Sequence, residues 1–206
     1  MRPITSIGEI RLFIGDKSYF FKPSFAAMDS LGTPEHIVSL FYELHSEFKP
    51  NPFYLNDSFR IWERDVSSAA YDVMTSCCEE DITPIIGHMG SKWNSFVPGA
   101  MSVIDMIHVA RSLIVHGVIG DLPPSKAPKK QEDYTAGFDA RDFVSQAVAH
   151  LGLSTAEAWN LTMTEFSGAM RAKFGKPDDG KLTLDQVDDD MARLEEINAL
   201  REASKA

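Results

Sequence analysis

The stretch Phe138–Phe174, FDARDFVSQAVAHLGLSTAEAWNLTMTEFSGAMRAKF, constrains the fold most, because it packs three helix starts into one short run. Asp139 is placed to cap the first helix, with Phe138 at N′ facing Phe143 at N4 as a hydrophobic staple. Gly152 stops that helix, with Val148 and Leu153 placed for the apolar contact of a Schellman motif. Ser154-Thr155-Ala156-Glu157 is a capping box for a short second helix. Thr162-Met163-Thr164-Glu165 is another, with Leu161 and Phe166 as its staple. Phe143, Ala147 and Leu151 form one apolar stripe; Met163, Phe166, Met170 and Phe174 form a second. Stripes this short cannot bury themselves, so the unit needs a partner surface.

The amino end reads as a β-hairpin. Ile10, Leu12 and Ile14 fall on one face, Gly15-Asp16-Lys17 turns the chain, and Ser18–Lys22 returns. Phe13 and Phe20 break the other face, so both faces are expected to be partly covered. Ser24 caps a short helix, Phe25–Leu31, closed by Gly32. Thr33-Pro34 starts the next, with Ile37, Leu40, Phe41, Leu44 and Phe48 as its apolar face. A third helix is expected over Ser58–Cys78, with Phe59, Trp62, Val66, Ala69, Val73 and Cys77 on one side. Thr83-Pro84 starts a short turn, and Gly87–Gly99 reads as a loop containing Trp93. Met101–His116 is the most hydrophobic helix, with a thin polar strip of Asp105, His108, Ser112 and His116; Gly117 is expected to stop it.

Asp121–Gly137, DLPPSKAPKKQEDYTAG, has the composition of a flexible linker. The expected fold is therefore mainly α with an amino-terminal β-hairpin, in two small helical parts. Residues 1–121 form the hairpin and first helical domain, 122–137 the linker, and 138–206 the smaller domain. A last short amphipathic helix is expected over Leu184–Ser204, with Leu184, Val187, Met191 and Leu194 on one side.

With 44% hydrophobic and 24% charged residues, the chain is ordinary globular material that can bury a real core. The net charge of −10 argues against nucleic acid or an anionic membrane as main partners, since both call for a basic footprint. Cys77 and Cys78 are adjacent and close no useful loop, which suits a reducing cytoplasm. The opening Met1–Ser6 leads into no apolar stretch of signal-peptide type, and no run of about 18 apolar residues is present to span a membrane.

Motifs for chemistry fail on spacing. Gly175–Leu182 follows the phosphate-loop pattern until its last position, where Leu182 lacks the hydroxyl that Mg²⁺ needs. As a calcium loop the same region puts Gly175, Pro177 and Gln186 at ligand positions. His108 and His116 share a helix face but stand about 12 Å apart along it, too far for one metal. Cys77-Cys78 with His88 lacks the spacing of a zinc knuckle, and no Gly-x-Ser-x-Gly elbow is present. No catalytic residue, metal or cofactor is expected. Asp188-Asp189-Asp190 suits the first turns of the last helix, where acids favour the dipole, or a partner contact.

Two stretches carry a resemblance. Ala158-Trp159-Asn160-Leu161-Thr162-Met163-Thr164-Glu165-Phe166, followed by Ala169-Met170, resembles the tryptophan-and-"EF" helical repeat of tail assembly chaperones from long-tailed phages and gene transfer agents. Gly8-Glu9-Ile10-Arg11-Leu12, Ile14–Tyr19 and Lys22-Pro23-Ser24-Phe25-Ala26-Ala27-Met28 resemble the opening of the same group. The resemblance implies a non-enzymatic binding protein of phage or prophage, acting in the cytoplasm of the bacterial host. Its implied partners are the tape-measure protein, which it holds soluble, and the tail-tube protein assembling around it; self-association is a further contact open to it. The rival reading is a structural tail or neck protein retained in the virion. Candidate partner-binding residues are Phe143, Trp159, Phe166, Met170 and Phe174, with Met191 and Leu194 beside them. Each would either line a groove for a client helix or close the chain's own core.

Overall fold

Ile10, Leu12 and Ile14 alternate with Arg11 and Phe13, and the alternation breaks at Gly15-Asp16. In the computed structural model, which describes residues 2–49, 55–89, 96–97, 99–120 and 137–175, the chain reverses there. Strand β1 (Ile10–Ile14) pairs antiparallel with β2 (Lys17–Phe21), Ile14 opposite Lys17 and Ile10 opposite Phe21. Gly15 takes φ 58°, the left-handed backbone that a two-residue hairpin loop requires. The inner face carries Tyr19 and Phe21, both buried, while Phe13 on the outer face is 73% exposed. A lone hairpin is marginal in water, and this one is held from below: the Lys22 N–H donates to the Cys77 carbonyl at 2.9 Å.

The first two helices start where their caps are written, whereas the third starts at Leu55, ahead of the expected Ser58. Ser24 Oγ accepts the Ala27 N–H at the head of α1 (Phe25–Asp29), and Thr33 Oγ1 accepts the His36 N–H at the head of α2 (Pro34–His45). Helix α3 (Leu55–Ser76) turns Val66, Ala69, Val73 and Met74 inward. Helix α4 (Thr83–Ile86) buries Ile85 and Ile86. Within Gly87–Gly99 two short strands, β3 (His88–Met89) and β4 (Phe96–Val97), pair antiparallel. Helix α5 (Val103–Ile114) starts at Ser102, lies along α3, and buries Met106, Ile107, Ala110, Leu113 and Ile114.

Two features of this helix differ from expectation. Gly117 does not stop it. The chain continues through a π-helical turn, Val115–Ile119, and ends at Gly120. A Cβ on Gly117 would come within 2.6 Å of Met28 Sδ, so this glycine serves close packing on α1. His116, expected in the polar strip, is buried, with Nδ1 2.8 Å from Thr164 Oγ1. That hydroxyl gives the ring nitrogen a partner inside the core.

Beyond residue 137 come α6 (Ala140–Gln146), a second π-helical turn (Ala147–Leu151), α7 (Thr155–Trp159) and α8 (Met163–Phe174). They pack on α1 and on the first π-helical turn. Phe138, Val144, Ala147, Ala158, Met163 and Phe166 belong to one core with Phe21, Phe25, Met28 and Leu113. The fold is thus mainly helical with an amino-terminal hairpin, and the described parts of 1–121 and 138–206 share that core. The intrachain surface covers Ala147 of the first stripe and Met163 and Phe166 of the second, while Phe174 stays exposed. Residues 121–136, the remaining residues of the phosphate-loop and calcium-loop stretches, and the last helix expected from Leu184 lie outside the described residues, as does Trp93.

A shared core predicts shared unfolding. Phe25→Ala is expected to cost about 3–5 kcal/mol and to lower the urea midpoint of a single transition. Two transitions, with only one moved by the substitution, would show separate cores instead.

Candidate partner-binding surface

The candidate surface is built on three consecutive caps. Asp139 Oδ1 accepts the Arg141 N–H at 3.0 Å, and the Phe138 and Phe143 rings stack at 5.3 Å, so cap and staple form together. Ser154 and Glu157 complete a reciprocal box: the Ser154 N–H donates to Glu157 Oε2 at 2.9 Å, and the Glu157 N–H donates to Ser154 Oγ at 3.3 Å. Thr162 and Glu165 repeat it at 2.9 and 3.2 Å. Hydrogen bonds from the Ser154 hydroxyl and N–H hold the Glu157 carboxyl below its ordinary range.

With the Ser24 cap, these caps bring Phe25, Phe143 and Phe166 into mutual contact, with Phe138 stacked on Phe143. Phe25 stacks on Phe143 at 5.8 Å and meets Phe166 edge-on at 5.9 Å, while Phe143 meets Phe166 edge-on at 5.6 Å. Such pairings follow the ring quadrupoles and add to area burial. The backbone joins the same elements. The Phe25 N–H donates to the Leu161 carbonyl at 2.8 Å, and Ser24 forms an isolated antiparallel bridge with Thr162. Lys22 Nζ stands 3.7 Å from both Glu9 and Glu165.

The residues singled out from sequence therefore separate. Phe166 is buried and Phe143 half-buried, both within the ring cluster, so they close the chain's own core. Trp159 and Met170 are half-buried against that core. Phe174 is 60% exposed at the end of α8, its ring edge-on to His150 at 5.4 Å. Lys173 Nζ donates to the His150 carbonyl, tying this end of α8 to the second π-helical turn. Met191 and Leu194 lie outside the described residues. At the helix stop the Val148 carbonyl accepts the Gly152 N–H at 3.2 Å, as its placement there implies, but its side chain is exposed beside Ala147, which is fully buried. A π-helical turn rotates residues away from the 3.6-residue stripe, and no residue type announces such a turn.

Burial pushes the Cys77 and Cys78 thiols up, so both stay protonated near neutrality and neither is an activated nucleophile. Among the described residues, no group of three or more His, Cys, Asp or Glu could hold a metal ion. Among the described residues no helix is long and apolar enough to cross a membrane.

The model of a family of unknown function, DUF6246, matches residues 21–189, a span that includes the whole ring cluster. No curated protein and no solved structure matches the chain.

Two predictions follow from burial and from the caps. Phe166→Ala is expected to cost about 3–5 kcal/mol, whereas Phe174→Ala should stay within about 0.5 kcal/mol of the parent in chemical denaturation. A Phe174→Ala loss as large as that of Phe166→Ala would place the ring in the core. The second concerns pH. The folded Glu157 carboxyl is depressed, so its cap contributes above the unfolded carboxyl value and is lost as pH falls through the folded one. The melting-temperature gap between parent and Glu157→Ala should be widest near neutrality and shrink below about pH 4; a gap constant with pH would remove the charge from the cap.

Proposed function

The chain belongs to the DUF6246 family of unknown function, and we propose that it is a phage tail assembly chaperone that binds the tape-measure protein. One observation carries this. The two stretches that resemble that group, Lys22–Met28 and Ala158–Met170, are far apart in sequence yet meet directly in space. The Phe25 N–H bonds the Leu161 carbonyl, Ser24 bridges Thr162, Phe25 meets Phe166, and Lys22 faces Glu165. Two motifs that form one joint act as a single unit, which supports a common origin for both.

On this reading the protein works in the cytoplasm of the bacterial host, binds without catalysing, and hands its client to the tail-tube protein. The client is a long helical chain with apolar faces. The surface that would receive it is the end of α8, where Phe174 is exposed and Met170 half-buried, with Val148 on the neighbouring π-helical turn. A flexible methionine beside a ring gives an adaptable contact that holds a client weakly.

The test is co-expression with the tape-measure protein. Phe174→Asp is expected to melt like the parent and to leave the client in the insoluble fraction, a loss of about tenfold or more in capture. A Phe174→Asp variant that melts normally and still keeps the client soluble would remove this face from the contact. A client that stays soluble without any chaperone would remove the function itself.

A further inference from the structure

The geometry points to β1 as an interface strand that pairs with β1 of a second copy of this chain, about a two-fold axis at Leu12. This does not rest on the chaperone reading. In a hairpin with a two-residue loop, the residues flanking the loop exchange hydrogen bonds, and the pattern alternates from there. Ile14–Lys17, Leu12–Tyr19 and Ile10–Phe21 are then the bonded pairs. Arg11 and Phe13 therefore aim their backbone N–H and C=O groups away from β2.

The two edges of the hairpin have different surroundings. The outer edge of β2 is used where the strand ends: Lys22 donates its N–H to the Cys77 carbonyl. Among the described elements, β2 alone makes an extensive contact with β1. Its backbone groups at Arg11 and Phe13 make no hydrogen bond to another described segment. Open edges of this kind are templates for another strand, and proteins ordinarily blunt them. Here the edge carries Phe13, 73% exposed, the most exposed of the large hydrophobic residues described.

Self-pairing fits the sequence of the strand. With Leu12 opposite Leu12 of the second copy, Arg11 lies opposite Phe13 and Phe13 opposite Arg11. All four outward backbone groups on each copy are satisfied at once. On the outer face, the Arg11 guanidinium already lies over its own Phe20 ring at 5.2 Å, and its Nε has no hydrogen-bond partner. The exposed Phe13 ring of the second copy would cover its other side, a cation between two rings. A shift of two residues one way sets Arg11 against Arg11, and a shift the other way sets Arg11 against Gly15. Like charges disfavour the first shift, and the second takes Phe13 away from Arg11. A single strand pair buries less than a stable dimer interface requires, so association is expected to be weak and concentration-dependent.

Sedimentation velocity of the full chain over a dilution series tests this. The parent should shift toward dimer as concentration rises. Phe13→Pro deletes one outward N–H and leaves the β1–β2 ladder intact; it should lower the association constant about tenfold or more with an unchanged melting temperature. Phe13→Lys, which sets like charges side by side, should do the same and covers the case in which proline unfolds the hairpin. Oxidation gives an independent readout. Leu12→Cys should yield a disulfide-linked dimer, since the pair on the axis stands about 4.5 Å apart between Cα atoms. Lys17→Cys, on the far strand, should not. A parent that stays monomeric throughout overturns the proposal, as does association that neither Phe13 variant weakens, or equal cross-linking by the two cysteine variants. A monomeric parent that loses capture of an extended client peptide on Phe13→Pro would assign the edge to a foreign strand and also overturn it.

Discussion

The Phe25 N–H meets the Leu161 carbonyl at 2.8 Å, and the placement of α6, α7 and α8 depends on that meeting. Helix α1 has only five residues, too few to be stable alone. It is held by Ser24 at its head and by the Phe25 ring, which is fully buried between Phe143 and Phe166. Removing that ring would open a cavity bordered by two other helices, so its burial serves α1, α6 and α8 together. A backbone hydrogen bond alone is worth about 1 kcal/mol net. The ring stack supplies most of the energy, and the hydrogen bond sets the register.

The ion pairs beside it do different work. Lys22 lies 3.7 Å from Glu9 and from Glu165, with each of the three side chains partly accessible. Pairs of this kind contribute little to stability, because solvent screens them and side-chain freedom is lost. Their geometry still matters. Glu9 also accepts the Ile4 N–H at 2.8 Å, and Glu165 completes the Thr162 capping box. One cation therefore links the start of the hairpin to the head of α8, and fixes direction where the ring cluster fixes distance. Nearby, Gly8 leaves no room for a Cβ against His116, and His116 in turn reaches Thr164. Hairpin, first π-helical turn and α8 are thus joined by polar contacts at their edges and apolar ones within.

Local features of this fold were legible, because they depend on residues three or four apart. The caps at Ser24, Thr33, Asp139, Ser154 and Thr162 and the Phe138–Phe143 staple all stand where the sequence put them. So does the hairpin, whose period and glycine leave little choice. Tertiary choices were not legible. Phe166 and Phe174 share a stripe, eight residues apart, yet one is buried and the other is exposed. Spacing places both on one face but does not say how far along the helix its neighbours extend. Gly117 looked like a stop because glycine usually is one; its role depends on Met28, distant in sequence. The composition of 121–137 is that of a linker, and a linker's composition says nothing of what its ends bring together.

The same geometry explains why apolar surface remains where it does. Helix α8 packs against both π-helical turns, Val115–Ile119 and Ala147–Leu151. The first takes its head, through Thr164 and through Met163, which lies close to Gly120. The second takes its tail, through His150, which contacts Phe174 and Lys173. Between them the ring cluster buries Phe166, but the hairpin and α1 do not reach as far as the last turn. Met170 is left half-covered and Phe174 mostly open, held by a ring edge and a lysine instead of by a core. The chain's own described elements are already committed: α3 and α5 to each other, α2 to both, and α1 to the cluster. An apolar patch that arises because nearby elements are used elsewhere is fixed in shape by those elements. It is therefore presented on a base of packed helices.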